Sequence, residues 1–154
     1  MKKELINLPD EQIGYLFSQT YLLKQKIFNS ALKELNITYI QFVILATAFV
    51  LQDEQGWITQ QTIASQRRLD KVTVSNTVKT LVQKGLIRRS HHPTDHRAFI
   101  IKLTLRGREV AVRGKEIAQT TDETFFSNID SDNLRTILKK LLSENSKFFR
   151  NTES

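Results

Sequence analysis

Residues 57–107 read WITQQTIASQRRLDKVTVSNTVKTLVQKGLIRRSHHPTDHRAFIIKLTLRG. Near the start, Thr59 can cap a helix over residues 60–68 and Asp70 can cap another over residues 71–84, because short polar side chains accept hydrogen bonds from the free N–H groups of a helix start. Only a few residues separate these two short helices. That arrangement predicts a helix-turn-helix.

A hairpin is predicted directly after the second helix. Gly85 can adopt the left-handed conformation that ends helices. Two β-prone runs follow, over residues 86–90 and 98–103, and the link between them, residues 91–97, is polar and rich in turn formers. The sequence therefore predicts a β-hairpin, or wing, attached to the helix-turn-helix.

Helical patterns flank this unit on both sides. Apolar residues recur with helical spacing over residues 10–35, where Asp10 is a candidate N-cap, and again over residues 38–50. The second of these helices is apolar on most sides, which is typical of a central core helix. After the hairpin, Thr104 can cap a long helix, and an amphipathic helix over residues 131–149 follows it. We therefore predict a mainly α fold with a small β wing.

Composition narrows the class of protein. The chain has 154 residues, a one-domain length, and no cysteine, which excludes disulfides, thiolate zinc sites and cysteine nucleophiles. No stretch approaches the roughly 18 apolar residues that a membrane span needs, and no apolar signal core follows the first residues. We therefore expect a soluble, cytoplasmic protein.

Positive charge is concentrated in one third of the chain. The net charge is +7 at pH 7. Residues 57–108 hold eleven Lys or Arg against two acidic residues, whereas the remainder holds 12 basic residues against 14 acidic ones. A solvated surface would spread its charge, whereas a phosphate-binding face would concentrate it. The distribution favours a polyanionic partner such as nucleic acid or an anionic membrane surface.

The helix over residues 71–84 has two distinct faces when it is projected at about 100° per residue. One face is apolar and would dock the helix on the domain: Val74, Val78, Leu81 and Val82. The opposite face offers donors, acceptors and a methyl-bearing side chain: Val72, Thr73, Asn76, Lys79, Thr80 and Gln83. An ordinary amphipathic surface helix is the alternative, but the adjacent charge and hairpin favour recognition of a DNA groove.

Base edges in the major groove suit several of these side chains. Asn76 could form two hydrogen bonds with an adenine, and Val72 could pack on a thymine methyl group. Thr73 could contact a base or a phosphate. Lys71 and Lys79 would hold phosphates, which fixes the register without selecting a sequence.

The first short helix and the hairpin loop offer further contacts. Thr59 and Gln61 stand at a helix start, where backbone N–H groups can grip a phosphate, although Thr59 could also act as a cap alone. Arg97 in the hairpin loop suits the narrow minor groove of A·T tracts, which attracts a guanidinium. Asp95 could aim Arg97 through a salt bridge, and an exposed pair that contributes little is the alternative.

Three histidines in the hairpin, His91, His92 and His96, raise a metal site as a hypothesis. A hairpin tip rarely fixes ligand geometry, and the cluster has neither cysteine nor helical His spacing. Polar wing residues near phosphate are the simpler interpretation, so we predict no metal. Catalytic carboxylate pairs, glycine-rich phosphate loops and nucleophile triads are also missing from the sequence. We therefore expect neither an enzyme nor a cofactor.

In the order of its elements and in its residues, the chain resembles the multiple-antibiotic-resistance-regulator (MarR) family of winged helix-turn-helix transcriptional regulators over nearly its whole length. The matching segments are residues 58–64, 69–75, 81–87, 95–97 and 103–107. The Asp-x-Arg wing followed by Leu-Thr-x-x-Gly is the most specific part. The resemblance implies one structural domain with a DNA-binding region at 37–107 and N- and C-terminal dimerisation helices at 1–36 and 108–154.

The resemblance also implies a function. Family members bind pseudo-palindromic operators in double-stranded DNA as homodimers, usually as repressors, and many release DNA when a small, often aromatic, molecule binds. The DNA-binding candidates are Thr59, Gln61, Arg68, Lys71, Val72, Thr73, Ser75, Asn76, Lys79, His96 and Arg97. The resemblance would bring Phe17, Tyr21, Phe42 and Trp57 near the ligand pocket, with ordinary core packing as the alternative. No membrane partner is expected, and a non-specific architectural DNA-binding protein is the alternative function.

Three departures from the family pattern have consequences. Asn76 stands where arginine is frequent, so base preference could shift away from guanine. Arg67 and Arg68 stand where a hydrophobic residue and a small turn residue are frequent, which predicts a looser turn with extra phosphate contacts. Without cysteine, the chain cannot share the mechanism of the peroxide-sensing members.

Overall fold

The structure, a computed structural model, describes residues 12–52 and 56–150. It is mostly helical with one small sheet, as predicted. The elements are α1 Ile13–Leu32, a 3-10 turn Lys33–Leu35, α2 Tyr39–Leu51, β1 Ile58–Thr59, α3 Gln60–Arg67, α4 Lys71–Gln83, β2 Ile87–His91, β3 Phe99–Leu103, α5 Leu105–Phe125 and α6 Ser131–Arg150. The candidate cap Asp10 lies outside the described residues.

Side-chain caps fix the first residues of the helices in and around the predicted helix-turn-helix. Thr59, Asp70 and Thr104 each accept a hydrogen bond from the backbone N–H three residues later, at the starts of α3, α4 and α5. Thr38 forms a full capping box with Gln41 at the start of α2. The predicted caps at Thr59, Asp70 and Thr104 are confirmed, because a cap is set by residues within one turn of the helix start.

Helix α2 is central to the core, as its all-round apolar sequence predicts. It contacts α1, α3, α4, α5 and β3. Its fully buried Ile44 and Leu45 belong to the same cluster as Ile63 of α3, Val78 of α4 and Ile101 of β3. Phe28 and Leu32 of α1 and Ala111 of α5 belong to it as well, so α1 and α5 share one core with the helix-turn-helix and the hairpin.

One predicted core residue of α4 is exposed. Val74, Val78 and Leu81 are buried, but Val82 is 40% exposed, so its prediction as a core residue is wrong. Val82 lies about 80° around the helix from Val74, at the edge of the apolar stripe. The helix ends one residue later, at Gln83, and no neighbouring element covers that edge.

The sheet is antiparallel with the strand order β1–β3–β2. Strands β2 and β3 form the predicted hairpin, with Ile87 opposite Leu103 and Arg89 opposite Ile101, and β1 pairs with β3 on the other side through Ile58 opposite Ile101. The inward side chains of this sheet join the core, so the base of the wing is fixed to the domain.

The start of α5 approaches the base of the wing closely. The Thr104 hydroxyl donates to the backbone oxygens of Gly85 and Leu86, at 2.8 and 3.1 Å. A Cβ added at Gly107 would come within 1.8 Å of the Leu86 oxygen, so only glycine fits there. The Leu-Thr-x-x-Gly segment therefore has a structural role: Thr104 bonds the base of the wing, and Gly107 allows α5 to approach it closely.

Large apolar side chains remain exposed on the first and last helices. On α1 they are Ile13, Leu16, Phe17, Tyr21, Leu22, Leu23 and Ile27, and on α6 they are Ile137, Leu141, Leu142 and Phe148. Within residues 12–52 and 56–150, no single helix combines the length and the apolar composition needed to cross a membrane. Only the bent pair Ile13–Leu35 and Tyr39–Leu51, at 73° to one another, would meet that test jointly, by length and composition alone.

Candidate nucleic-acid interface

Helix α4 presents a polar face to solvent while its apolar face is buried. Val72 is 68% exposed, and Lys71, Asn76 and Lys79 are exposed as well. Ser75 is half-buried. The helix therefore exposes four of the side chains that the sequence predicts for base and phosphate contacts: Lys71, Val72, Asn76 and Lys79.

Thr73 has its hydroxyl proton already committed. Its hydroxyl donates to one oxygen of Asp70 at 2.5 Å, and its backbone N–H donates to the other at 2.7 Å. The hydrogen bond from the Thr73 hydroxyl is the larger cause and the bond from its N–H is the next, and together they hold the pKa of Asp70 below its usual value. The Thr73 hydroxyl can therefore accept a hydrogen bond from a DNA amino group, but it has no free proton to donate.

The turn between α3 and α4 is tight. Arg68 adopts the left-handed conformation with φ 51° and ψ 41°. The N–H of Arg68 donates to the Ser65 oxygen and the N–H of Leu69 to the Ala64 oxygen, which together form a Schellman motif. The expectation of a looser turn is wrong, because the Schellman hydrogen bonds involve backbone groups alone and form in spite of the arginine side chain.

Arg67 turns partly inward. Its Nε donates to the hydroxyl of the buried Thr47 on α2, at 2.6 Å. The same hydroxyl donates to the Val43 oxygen at 2.6 Å. This guanidinium therefore connects α3 to α2, which sequence analysis did not predict.

The hairpin loop is organised by two polar side chains. His92 Nδ1 accepts from the backbone N–H groups of Thr94 and Asp95, both at 3.2 Å. Asp95 Oδ1 accepts from the Arg97 backbone N–H at 3.0 Å. The predicted salt bridge between Asp95 and Arg97 is wrong, since the ion pairs of the described residues do not include it and the carboxylate instead bonds the turn.

The exposed tip of the loop carries Arg97 and His96. The backbone oxygen of His96 lies 3.1 Å from His91 Nδ1. Within the ranges that the structure describes, no group of three or more His, Cys, Asp or Glu side chains is placed to hold a metal ion. The rings of His91 and His92 therefore bond groups of the loop itself.

A cavity of about 270 Å³ lies between the loop and the two short helices. Its lining combines three predicted DNA-binding residues, Gln61, Lys71 and Arg97. The remaining lining residues are Gln60, Ala64, Val74, Asp95, Ala98 and Phe99. The cavity therefore opens between the recognition helix, the start of α3 and the wing. Sequence analysis did not single out Phe99, which had no signal beyond β propensity.

Several basic residues of the charged segment bond inside the protein. Lys84 Nζ donates to the Asn36 oxygen at 2.5 Å and to Gln41 Oε1 at 3.0 Å. Arg108 donates to Gln52 at the end of α2. Arg89 donates to Gln60 at 2.6 Å. The count of positive charges in the sequence therefore exceeds the number of side chains that are free to meet phosphates.

The four aromatic residues predicted near a ligand pocket lie in different surroundings. Phe42 packs edge-on against Phe28 in the core, with ring centroids 5.2 Å apart. Trp57 packs edge-on against His92 at the wing, also at 5.2 Å. Phe17 and Tyr21 are exposed on α1. Phe17 lines a second cavity, of about 340 Å³, together with Arg68, Leu138, Leu141, Leu142, Asn145 and Ser146.

Comparison with known proteins identifies related sequences and structures. The model of the MarR family matches residues 37–99. The uncharacterized HTH-type transcriptional regulator YdcH of Bacillus subtilis is 31% identical over 135 residues, which cover 87% of this chain and 92% of YdcH. The DNA complex of S. aureus MepR has a TM-score of 0.79 at 26% identity, covering 88% of this chain and 99% of MepR. A mutant of E. coli MarR bound to operator DNA has a TM-score of 0.74 at 26% identity, covering 90% and 96%.

Proposed function

The chain belongs to the MarR family and is a DNA-binding transcriptional regulator, and on that premise we propose that it is a sequence-specific repressor. It binds a pseudo-palindromic operator as a homodimer, and a small molecule releases it. The observation that supports this most is the exposed polar face of α4 beside Arg97 and the start of α3, around one cavity in the basic segment. Such a regulator acts on the chromosome, so we assign it to the cytoplasm.

Helix α4 enters the major groove. Asn76 and Val72 contact base edges, where an amide suits adenine and a methyl group suits thymine. Thr73 accepts a hydrogen bond from a base amino group, because its own proton is bonded to Asp70. Lys79 binds the phosphate backbone, as do Lys71 and Ser75. Asn76 in place of arginine predicts half-sites rich in A·T pairs.

The wing and the helix starts hold the flanking backbone. Arg97, with His96 beside it, enters the adjacent minor groove, where A·T tracts concentrate negative potential. Thr59 and Gln61 approach a phosphate through the start of α3. Arg68 binds a further phosphate from the tight turn.

Two copies associate through the helices that flank the DNA-binding region, within residues 1–36 and 108–154. Support comes from the many exposed apolar side chains of α1 and α6, since exposed apolar patches on a protein surface mark interaction sites. A two-fold dimer would place its two α4 helices in successive major grooves, about 34 Å apart.

The releasing ligand is a small aromatic molecule bound between the dimerisation helices and the DNA-binding region. The cavity lined by Phe17, Arg68 and α6 supports this placement, and Tyr21 lies one turn from Phe17 on the same helix. Phe42 lies in the core and Trp57 at the wing, so Phe42 would contact the ligand only if the ligand reached the core, and Trp57 only if it reached the wing. Because the chain has no cysteine, release does not depend on thiol oxidation.

The decisive experiment selects bound duplexes from a random pool and then titrates the selected operator at several salt concentrations. Arg97→Ala should weaken operator binding by about 1–3 kcal/mol, whereas Lys79→Ala should mainly reduce the salt slope by about one. Equal affinity for selected and random duplexes would instead support a non-specific architectural protein. Unchanged binding by both variants would reject the proposed contacts.

A further inference from the structure

Arg89 lies in the basic part of the chain, residues 57–108, but its side chain points away from the solvent-facing side of the hairpin. On strand β2, Arg88 is exposed whereas Arg89 is half-buried, as the alternation of a strand requires. The Nε of Arg89 donates to Gln60 Oε1 at 2.6 Å. The guanidinium carbon lies 3.5 Å from the centroid of the Phe99 ring. Two contacts from different elements therefore hold this side chain.

These contacts join three elements near the loop end of the hairpin. Arg89 is on β2, Phe99 is the first residue of β3, and Gln60 is the first residue of α3. The Phe99 ring also lies against the His91 ring, with centroids 4.7 Å apart. The stack of His91, Phe99 and Arg89 therefore ends on Gln60 and connects the hairpin to the helix-turn-helix.

The Arg89 contacts lie next to Arg97, the residue that is proposed to enter the minor groove. Gln60 and Phe99 line the same cavity of about 270 Å³ as Arg97 and Lys71. Among the side-chain hydrogen bonds of the described residues, the bond from Arg89 to Gln60 is the one that joins the hairpin to α3. The Arg89 contacts therefore add to the β1–β3 pairing and the core packing in setting the position of the wing tip relative to the recognition helix.

The chemistry of these contacts requires arginine. A guanidinium is planar, so it can stack on an aromatic ring with its face while its edge donates to an amide oxygen. A lysine ammonium keeps the charge but cannot form both contacts in this geometry. Arg89→Lys therefore separates the role of the charge from the role of the geometry.

We propose that Arg89 is a positioning residue that fixes the wing against α3, so that Arg97 reaches the minor groove while α4 occupies the major groove. The proposal rests on the proposed function, because it assumes that Arg97 contacts the minor groove. It assigns Arg89 to base-pair discrimination at the flanks of each half-site, through Arg97, and not to phosphate binding.

The test is a double-mutant cycle of Arg89→Lys and Arg97→Ala on two operators, one with A·T tracts at the wing positions and one with G·C pairs there. The wild type should prefer the A·T operator by about tenfold, and Arg97→Ala should remove most of this preference. Arg89→Lys should also remove most of it while leaving the salt slope unchanged, since the charge remains. In the Arg89→Lys background, Arg97→Ala should then cost less than about threefold.

Arg88→Lys is the matched control, because Arg88 is the exposed neighbour on the same strand. It should preserve both the A·T preference and the full effect of Arg97→Ala. Phe99→Leu provides a second route, because it removes the stacking surface but leaves Arg89 in place, and it should reproduce the Arg89→Lys result. Thermal unfolding and circular dichroism of each variant establish that it is folded.

The proposal is overturned if Arg97→Ala has the same effect in both backgrounds. It is also overturned if Arg89→Met lowers the salt slope by about 0.9 per subunit while the A·T preference persists, since that is the signature of a phosphate contact. Failure of the proposed function would look different. In that case the wild type itself would bind the selected operator and a random duplex equally.

Discussion

Replacing Arg68 with glycine should stabilise the protein and weaken its binding to DNA. Arg68 has φ 51° and ψ 41°, a left-handed conformation. An L residue there brings its Cβ near the following carbonyl oxygen, at a cost of about 1–2 kcal/mol. Glycine avoids this contact but gives the unfolded chain more freedom, which offsets about 0.4–1 kcal/mol of the gain. The net expectation is a stabilisation of about 0.5–1 kcal/mol.

The hydrogen bonds of the turn do not change this balance. Both Schellman bonds join backbone atoms, from Arg68 to Ser65 and from Leu69 to Ala64, so glycine preserves them. Thermal unfolding should show a Tm increase of about 1–4 °C for a chain of this length. Protein concentration must be held equal, because the proposed dimerisation would make Tm depend on it. Operator titrations should show a salt slope that is smaller by about 0.9 per subunit, from the lost phosphate contact.

Asn36→Gly is the matched control, because Asn36 is the other described non-glycine residue with a positive φ, at 53°. Asparagine adopts this conformation more readily than arginine, so the gain should be smaller, and DNA binding should not change. A lower Tm for Arg68→Gly would refute the assignment of backbone strain at the turn. An unchanged salt slope would refute the assignment of Arg68 to a phosphate.

Two further predictions concern a pair of lysines and the cap of α4. Lys84→Met should lower stability by about 1–2 kcal/mol, because it removes a hydrogen bond to Asn36 and one to Gln41 of α2, and should leave the salt slope unchanged. Lys79→Met should reduce the salt slope and leave stability unchanged, and chemical denaturation with operator titration of both variants would show whether the two effects separate. Asp70→Ala should lower the Tm at neutral pH by removing the cap of α4. Because the Thr73 hydrogen bonds hold the pKa of Asp70 below its usual 3.8, the cap is present above that value and is lost as the pH falls through the lowered pKa, so the Tm values of wild type and variant should converge only in strongly acidic solution. Convergence already near neutral pH would contradict that pKa direction.

Most of the fold could be predicted because its signals are local. Thr59, Asp70 and Thr104 each bond a backbone N–H three residues away, and Gly85 ends α4 with φ 70°. The two β-prone runs became strands within one residue of their predicted limits. A cap, a turn or a hairpin depends on neighbours within a few positions, and these are visible in one sequence.

The destinations of long charged side chains could not be predicted in this way. Arg67 bonds Thr47, 20 positions away, and Arg108 bonds Gln52, 56 positions away. Such partners meet only after the chain has folded, and a guanidinium suits either a phosphate or an internal hydroxyl or amide. A basic segment in a sequence therefore does not show which of its side chains will contact phosphate and which will bond to groups of the protein.

Basic residues that bond within the protein contribute to one electrostatic effect on DNA binding but not to another. Charge counts from the sequence do not distinguish the two effects. The side chains of Arg67, Lys84, Arg89 and Arg108 keep their positive charge when they bond neutral oxygens, so they still contribute to the field that draws DNA toward the protein. Only a cation placed against a phosphate releases a condensed counterion. The association rate should therefore reflect the whole charge of residues 57–108, whereas the salt slope at equilibrium should reflect only the exposed residues of α4, the turn and the wing.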